Sequence, residues 1–347
     1  HIVNSSTLVI SVINQNSNDQ DHYQQNHKTF NYLEGLGDKI ASNDNLSLIS
    51  LGKMHVCIVD SYTTPLPKQE GVGLARKIGG DIALNLYVTG HIESPFFYSS
   101  DGDAFFPDDY FTEPRLDDQK YSLILKDFRH DTKRLSNKNE ISAMTAYEQY
   151  LNYYSAQLKK AGSRYAFHTI GSCFVIFFIS YAKVRGFPKK SAGEDFYIAN
   201  KLCKVGRVRL STNKPITLEA RASTRVPFGT GPSIIAISQL FANKEAYLVP
   251  APDAFKELGH VLTQIDKYLT QSIAELGPFN MEVEKILKNA GVYKQIERAR
   301  QSSSYCTVVV KSFHDWFDGL RQLQFINEVS KSLHPKVSID VTCNARD

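Results

Sequence analysis

Thr7-Leu8-Val9-Ile10-Ser11-Val12-Ile13 is an almost unbroken apolar run that closes on Asn14-Gln15-Asn16. Continuous runs of this kind belong to parallel sheets buried on both faces, because a half-exposed strand would alternate apolar with polar residues. The next segment sets the class: Tyr23 to Ala41 carries Phe30, Leu33, Leu36 and Ile40 at helical spacing. Two shorter strand-like runs come after it, Leu46 to Leu51 and His55 to Val59, then a proline-bearing loop from Tyr62 to Gln69. A helix over Gly73 to Leu84 leads into a strand from Ser94 to Ser99 that ends at Asp101. Strands alternating with helices predict an α/β fold, a mostly parallel sheet flanked by helices.

Further along, a tyrosine-rich helix is expected over Lys138 to Lys160, stopping at Ala161-Gly162. Its Tyr147, Tyr150, Tyr153 and Tyr154 lie at helical spacing and read as packing residues. The longest apolar stretch, Tyr165 to Ala182, is interrupted by His168, Ser172 and Ser180. A bilayer span needs about 20 predominantly apolar residues, so this one reads as a buried strand. A loop over Lys183 to Ser191 precedes a helix opening at Gly193-Glu194-Asp195. After Val249 come three helical stretches, Ala254 to Leu276, Met281 to Arg300 and Val308 to Leu333, with no strand between them. The prolines at 250 and 252 mark the boundary. The expected organisation is therefore an α/β domain over 1–250 and an all-helical C-terminal extension over 251–347.

Composition narrows the function classes. With 42% hydrophobic and 22% charged residues in 347, the chain matches ordinary globular proteins. Forty basic against 36 acidic residues give a formal charge of +4, too small and too evenly spread for a nucleic-acid groove. That charge leaves open peripheral association with a membrane surface, and the helical C-terminal extension leaves open assembly into a homo-oligomer. The five cysteines are far apart and form no zinc-type pair, so they read as reduced thiols, with Cys57 and Cys173 as core filler. Residues His1 to Ser6 carry no signal-peptide pattern, which favours a cytoplasmic location, and the missing initiator Met leaves the true terminus open.

Open α/β sheets bind ligands beyond the carboxyl ends of their strands. That rule singles out Asn14, Asp60 and Asp101, although Asn and Asp also favour turns for local reasons. The sharpest feature is Tyr98-Ser99-Ser100-Asp101-Gly102-Asp103. Two carboxylates flanking a glycine can converge on one hard cation such as Mn2+ or Mg2+, whose remaining ligands come from water and substrate phosphates. Glu194 and Asp195 open a helix, where acidic residues also serve as caps. Arg221 to Pro232 is a glycine-bearing segment with two arginines, suited to phosphate as a lid through Arg225, and equally readable as a surface turn.

Taken in order, Asp60, Gly71-Val72-Gly73-Leu74-Ala75-Arg76 with Gly79, Asp101-Gly102-Asp103 and Gly193-Glu194-Asp195-Phe196 resemble the family 2 glycosyltransferases over roughly Thr7 to Leu210. The resemblance implies the Rossmann-like GT-A fold and transfer of a sugar, with inversion, from a nucleotide-diphospho-sugar to a glycan or lipid-linked acceptor. It implies that Asp60 contacts the base and Arg76 lies near the nucleotide. Asp101 and Asp103 would hold the metal and diphosphate, and Asp195 of the Glu194-Asp195 pair would be the general base. Asn14-Gln15-Asn16 stands where the family often has an acidic residue, and Lys77 where it commonly has Asn. The competing readings are a non-catalytic carbohydrate-assembly protein with the same fold and a nucleotidyltransferase.

Overall fold

The computed structural model describes residues 7–15, 20–114, 120–135, 137–223, 229–271 and 275–343. Its strands are β1 (Thr7–Asn14), β2 (Asp38–Asn43), β3 (Leu46–Leu51), β4 (Met54–Ser61), β5 (Phe96–Ser99), β6 (Ala104–Phe105), β7 (Tyr121–Leu125), β8 (Phe128–Asp131), β9 (Phe174–Phe177), β10 (Arg207–Leu210), β11 (Ile216–Glu219), β12 (Leu248–Val249) and β13 (Val337–Ser338). Its helices are α1 (Gln20–Glu34), α2 (Gly71–Val88), α3 (Lys138–Lys160), α4 (Phe178–Lys183), α5 (Glu194–Val205), α6 (Thr230–Ala242), α7 (Pro252–Thr270), α8 (Met281–Asn289), α9 (Val292–Ser302), α10 (Cys306–Trp316), α11 (Gly319–Ser332) and α12 (Ile339–Cys343). The chain is α/β with mixed sheets. Among the described residues no helix is long and apolar enough to cross a membrane.

Two compact units form, one from the chain up to Arg134 plus Thr169–Pro232, the other from Leu135–His168 plus the chain from Ser233. This departs from the expected division into 1–250 and 251–347. The physical reason is visible in α3: Leu158 and the adjoining Ala161 are buried in one core with Ala254, Phe255 and Leu258 of α7, so the helix groups with the C-terminal helices.

In the first unit the sheet order β1-β4-β3-β2 has β1 parallel to β4 and the other pairs antiparallel. The hairpin from β3 to β4 closes through Gly52-Lys53, with Gly52 at φ 68°, a conformation that costs glycine nothing. The first strand lies at the edge of this sheet and leaves Val9 41% exposed, so the expected burial on both faces does not hold. Helix α1 rests Tyr23, Phe30 and Leu33 on a core of Ile13, Ile49, Val56 and Ile58. It stops at Glu34, shorter than the expected Tyr23 to Ala41. Gly35 and Gly37 intervene, and a Cβ on Gly37 would sit 2.2 Å from the Ser50 carbonyl oxygen, where Asp38–Asn43 joins β3 instead.

A second sheet has the order β10-β7-β9-β5 and a third β6-β11-β8. Each has one parallel pair, β10 with β7 and β11 with β8; the other pairs are antiparallel. The sheets are thus mixed, in place of the mostly parallel sheet expected. Strand β9 is buried throughout but only four residues long, and the chain turns at once into α4. The strand expected over Tyr165 to Ala182 is too long because a run apolar on every face has no period to separate strand from helix.

Helix α2 buries a face of small residues, Gly71, Gly73, Ala75, Gly80 and Ala83. Its first turn is pressed against the segment that leads into α5: the Gly73 amide donates to the Lys190 carbonyl at 2.9 Å. A Cβ on Gly73 would meet the Pro188 oxygen at 2.4 Å and the Lys190 nitrogen at 2.6 Å. Gly73→Ala must therefore displace backbone, and a loss of about 1–3 kcal/mol is expected in chemical denaturation. A variant as stable as the parent would refute this account of the contact.

In the second unit, α7 begins with Pro252 in its first turn, a position where the missing N–H costs nothing. Tyr153 and Tyr154 pack edge-on against Phe255, as packing residues do. The two long C-terminal stretches are each broken in two. Gly291 at φ 75° separates α8 from α9, and Asp318 caps α11 by accepting from the Arg321 amide at 3.4 Å. A short antiparallel pair, β12 with β13, closes the unit, so the extension is not wholly helical.

Candidate active site

Arg76 lies in the second turn of α2 with its side chain 10% exposed. Its guanidinium joins three chain segments: Nε donates to Glu194 at 2.9 Å, Nη1 to the Ser99 hydroxyl at 3.0 Å and Nη2 to Asp101 at 2.6 Å. The planar fork has five donors in fixed directions, which is what three separate acceptors require. Asp101 is fixed from its other side by the Ser172 hydroxyl, 2.6 Å from its second oxygen. Ser99 ends β5 and Ser172 lies just before β9, and these strands pair antiparallel with Ser99 opposite Phe174. The sheet register therefore sets the position of Asp101.

Gly171 makes room for this arrangement. A Cβ there would lie 2.9 Å from Nη2 of Arg76 and 3.2 Å from the Asp195 Cβ. Asp195 and Arg76 thus meet over one residue without a side chain, and Arg76 in turn holds Asp101. Gly193, at φ 72°, turns the chain into α5 so that Glu194 points inward, 5% exposed, while Asp195 is half-buried beside it. Burial, then the neighbouring Glu194, pushes the Asp195 carboxyl up to about 7, against the lowering by Arg76 and the Phe196 amide; Asp101 adds to the rise. A carboxylate poised there can accept a proton near neutral pH.

The Asp101-Gly102-Asp103 segment leads directly into β6, and Asp103 pairs with Arg221 at 2.9 Å. Among the described residues no three His, Cys, Asp or Glu side chains gather into a metal cage. A divalent ion held by one or two carboxylates and completed by water and phosphate oxygens needs no such cage. Asp103 fits that role: its oxygen already faces a cation, and its partner Arg221 is 53% exposed and able to move aside. Asp101 has both oxygens engaged and serves first to hold the loop.

Of the other expected positions, Asn14 and Asp60 both lie at the carboxyl end of the parallel pair β1 and β4, but one residue out of step, with Ile13 opposite Asp60 and Asn14 opposite Ser61, so they stand on opposite faces of the sheet. Asp60 is also a turn residue, accepting from the Tyr62 and Thr63 amides at 3.0 and 2.9 Å and from the Thr63 hydroxyl at 2.6 Å. Glu194, expected with Asp195 in the chemistry, is a buried partner of Arg76. Arg76, expected near the nucleotide, is a buried clamp. Arg225 lies outside the described residues, and Thr230-Gly231-Pro232, expected as part of a glycine-bearing loop, forms the first turn of α6. Ser99, Gly171 and Ser172 are site residues that the sequence reading does not single out. A signal for Gly171 is nonetheless present, since a glycine entering an apolar strand marks close approach by another group.

Compared with protein-family models, with curated proteins and with solved structures, the chain matches none.

Proposed function

We propose that the chain is a glycosyltransferase of the GT-A type that moves a sugar from a nucleotide-diphospho-sugar to an acceptor hydroxyl, with inversion. The observation that carries this reading is the meeting of Arg76 and Asp195 over Gly171, with Arg76 bonded to Asp101 at 2.6 Å and Asp195 raised to about 7. An acceptor hydroxyl attacks well only as its proton leaves, and Asp195 is the group that takes it. The acceptor oxygen bonds to the anomeric carbon, the bond from that carbon to the phosphate oxygen breaks, and the nucleoside diphosphate departs with the electron pair. Asp103, with Asp101 behind it, would hold Mn2+ or Mg2+, which supplies positive charge to the leaving diphosphate. Asn14 and Asp60, at the carboxyl end of their strands, suit the nucleotide side of the donor. The reading favours a cytoplasmic location, with a lipid-linked acceptor bringing the protein to the membrane surface.

A thermal-shift screen of nucleotide sugars with MnCl2 tests this directly. A donor at a hundredfold excess over its dissociation constant adds roughly 2.7 kcal/mol of stability. The shift is expected to need both the sugar nucleotide and the metal, and to vanish in Asp103→Asn while Asp103→Glu keeps part of it. Release of nucleoside diphosphate on turnover supports transfer to an acceptor, whereas pyrophosphate release would replace this reading with nucleotidyl transfer. No stabilisation by any nucleotide sugar would remove the reading altogether.

A further inference from the structure

The sheet β6-β11-β8 begins one residue after Asp103 and has one face turned to solvent. Register places Phe105 opposite Thr217, and Thr217 opposite Arg129, so these three share a face. The Arg129 Nε donates to the Thr217 hydroxyl at 3.0 Å, which fixes the guanidinium along that face. Two residues on, Glu219 stands opposite Asp131 on the same side, and Arg134 holds Glu219 at 2.8 Å. The opposite face is apolar core, with Ile216 fully buried and Phe128 and Leu218 nearly so. Phe105 is 60% exposed, whereas its neighbour Phe106 folds back onto Tyr110 with ring centroids 4.4 Å apart. Phe105 thus presents an exposed aromatic plane two residues from Asp103, beside the hydrogen-bonding side chains of the same face.

We propose that this face is the acceptor platform and takes a neutral glycan. The proposal rests on the transferase reading and names its second substrate. A sugar ring has an apolar face of C–H groups and a rim of hydroxyls, and it asks for an aromatic plane beside planar hydrogen-bonding side chains. Phe105 supplies the plane; Arg129, Thr217 and Glu219 supply donors and acceptors held in place by contacts within the same face. Strands lie about 4.8 Å apart, so Phe105 and Arg129 are separated by about two such spacings, room for two linked rings. The charges nearly cancel: Arg134 pairs with Glu219, and Lys133 and Arg129 share Asp131, which leaves a single net positive charge. A face of nearly balanced charge has no field with which to gather a polyanion, which is why the glycan is assigned as neutral. Position agrees with this role. Strand β11 runs antiparallel to β6, so the chain leaves it at the end of the platform nearest Asp103, where Arg221 pairs with that carboxylate at 2.9 Å.

The test is retention of the protein on a printed array of neutral and acidic glycans, without donor. The parent chain is expected to hold a subset of neutral glycans. Phe105→Ala and Phe105→Leu are expected to lose at least tenfold in binding, and Phe105→Trp to keep it, because stacking and not bulk is required. Arg129→Gln, on the outer strand of the same sheet, is expected to weaken the same glycans and guards against misfolding of the Phe105 variants. Stabilisation by nucleotide sugar with manganese should be unchanged in all four. Failure of the parent to hold any glycan, retention of acidic glycans only, or equal binding by Phe105→Ala would overturn the platform. Glycan binding that responds to these substitutions, without any stabilisation by nucleotide sugars, would leave the platform standing and defeat the transferase reading instead.

Discussion

Asp195→Asn is expected to lower transfer by about 10²–10⁴-fold and, in the same protein, to raise stability above neutral pH. The two effects share one cause. In the folded chain the Asp195 carboxyl is raised to about 7, by burial first and by Glu194 second, from an ordinary value of 3.8. Between about pH 4 and pH 7 the folded state therefore holds a proton that the unfolded state has released. Stability contributed by this group falls as pH rises through that window and is lowest above 7. An amide cannot ionise, so the variant loses that slope and gains on the order of 1–3 kcal/mol at pH 8, with little change at pH 4. Melting temperatures at the two pH values, read beside nucleoside diphosphate release, check both halves. In the parent, kcat/KM is expected to rise from pH 6 to pH 8 as the carboxyl deprotonates. A variant that retains transfer, or one whose stability keeps the parent's pH slope, would show that Asp195 is not the proton acceptor.

How far the sequence discloses each feature depends on how local that feature is. Helix α3 is bounded by Asn137, whose side chain accepts from the Asn139 amide at 2.8 Å, and by Ala161-Gly162, and both signals lie within a few residues of the ends. Its assignment to a unit is not legible. That depends on Leu158 sharing a core with Phe255, nearly a hundred residues later, and no local pattern encodes it. Sheet direction is hidden for the same reason, since antiparallel pairing of β5 with β9 joins residues about 80 apart. At the site, the acidic positions are legible because Asp101-Gly102-Asp103 follows a strand and Glu194-Asp195 opens a helix. Their partners are not, because Ser99, Gly171 and Ser172 are small residues inside apolar runs. The Gly71-Val72-Gly73 segment stands out in the sequence, yet the structure gives it a packing cause: the chain at Pro188 to Ser191 lies against it.

Arg76→Ala is expected to be the most destabilising single change at the site, costing about 3–5 kcal/mol in urea denaturation, because it leaves the Glu194 carboxylate buried without its cation. Arg76→Lys should recover only part of that. A single ammonium cannot reach Glu194, Ser99 and Asp101 together in the directions the guanidinium takes. The double variant Arg76→Met with Glu194→Met removes both charges and keeps volume, and it is expected to be far closer to the parent than Arg76→Ala. That contrast separates a buried ion pair from simple loss of packing. The same clamp also tunes chemistry, since Arg76 lowers the Asp195 carboxyl against burial and Glu194. Without the guanidinium the carboxyl moves above 7, and the rising limb of the kcat/KM profile should move to higher pH in Arg76→Lys, in proportion to how far the ammonium withdraws. An unshifted profile in a variant that is measurably less stable would mean that Arg76 holds the loop at Asp101 without setting the proton affinity of Asp195.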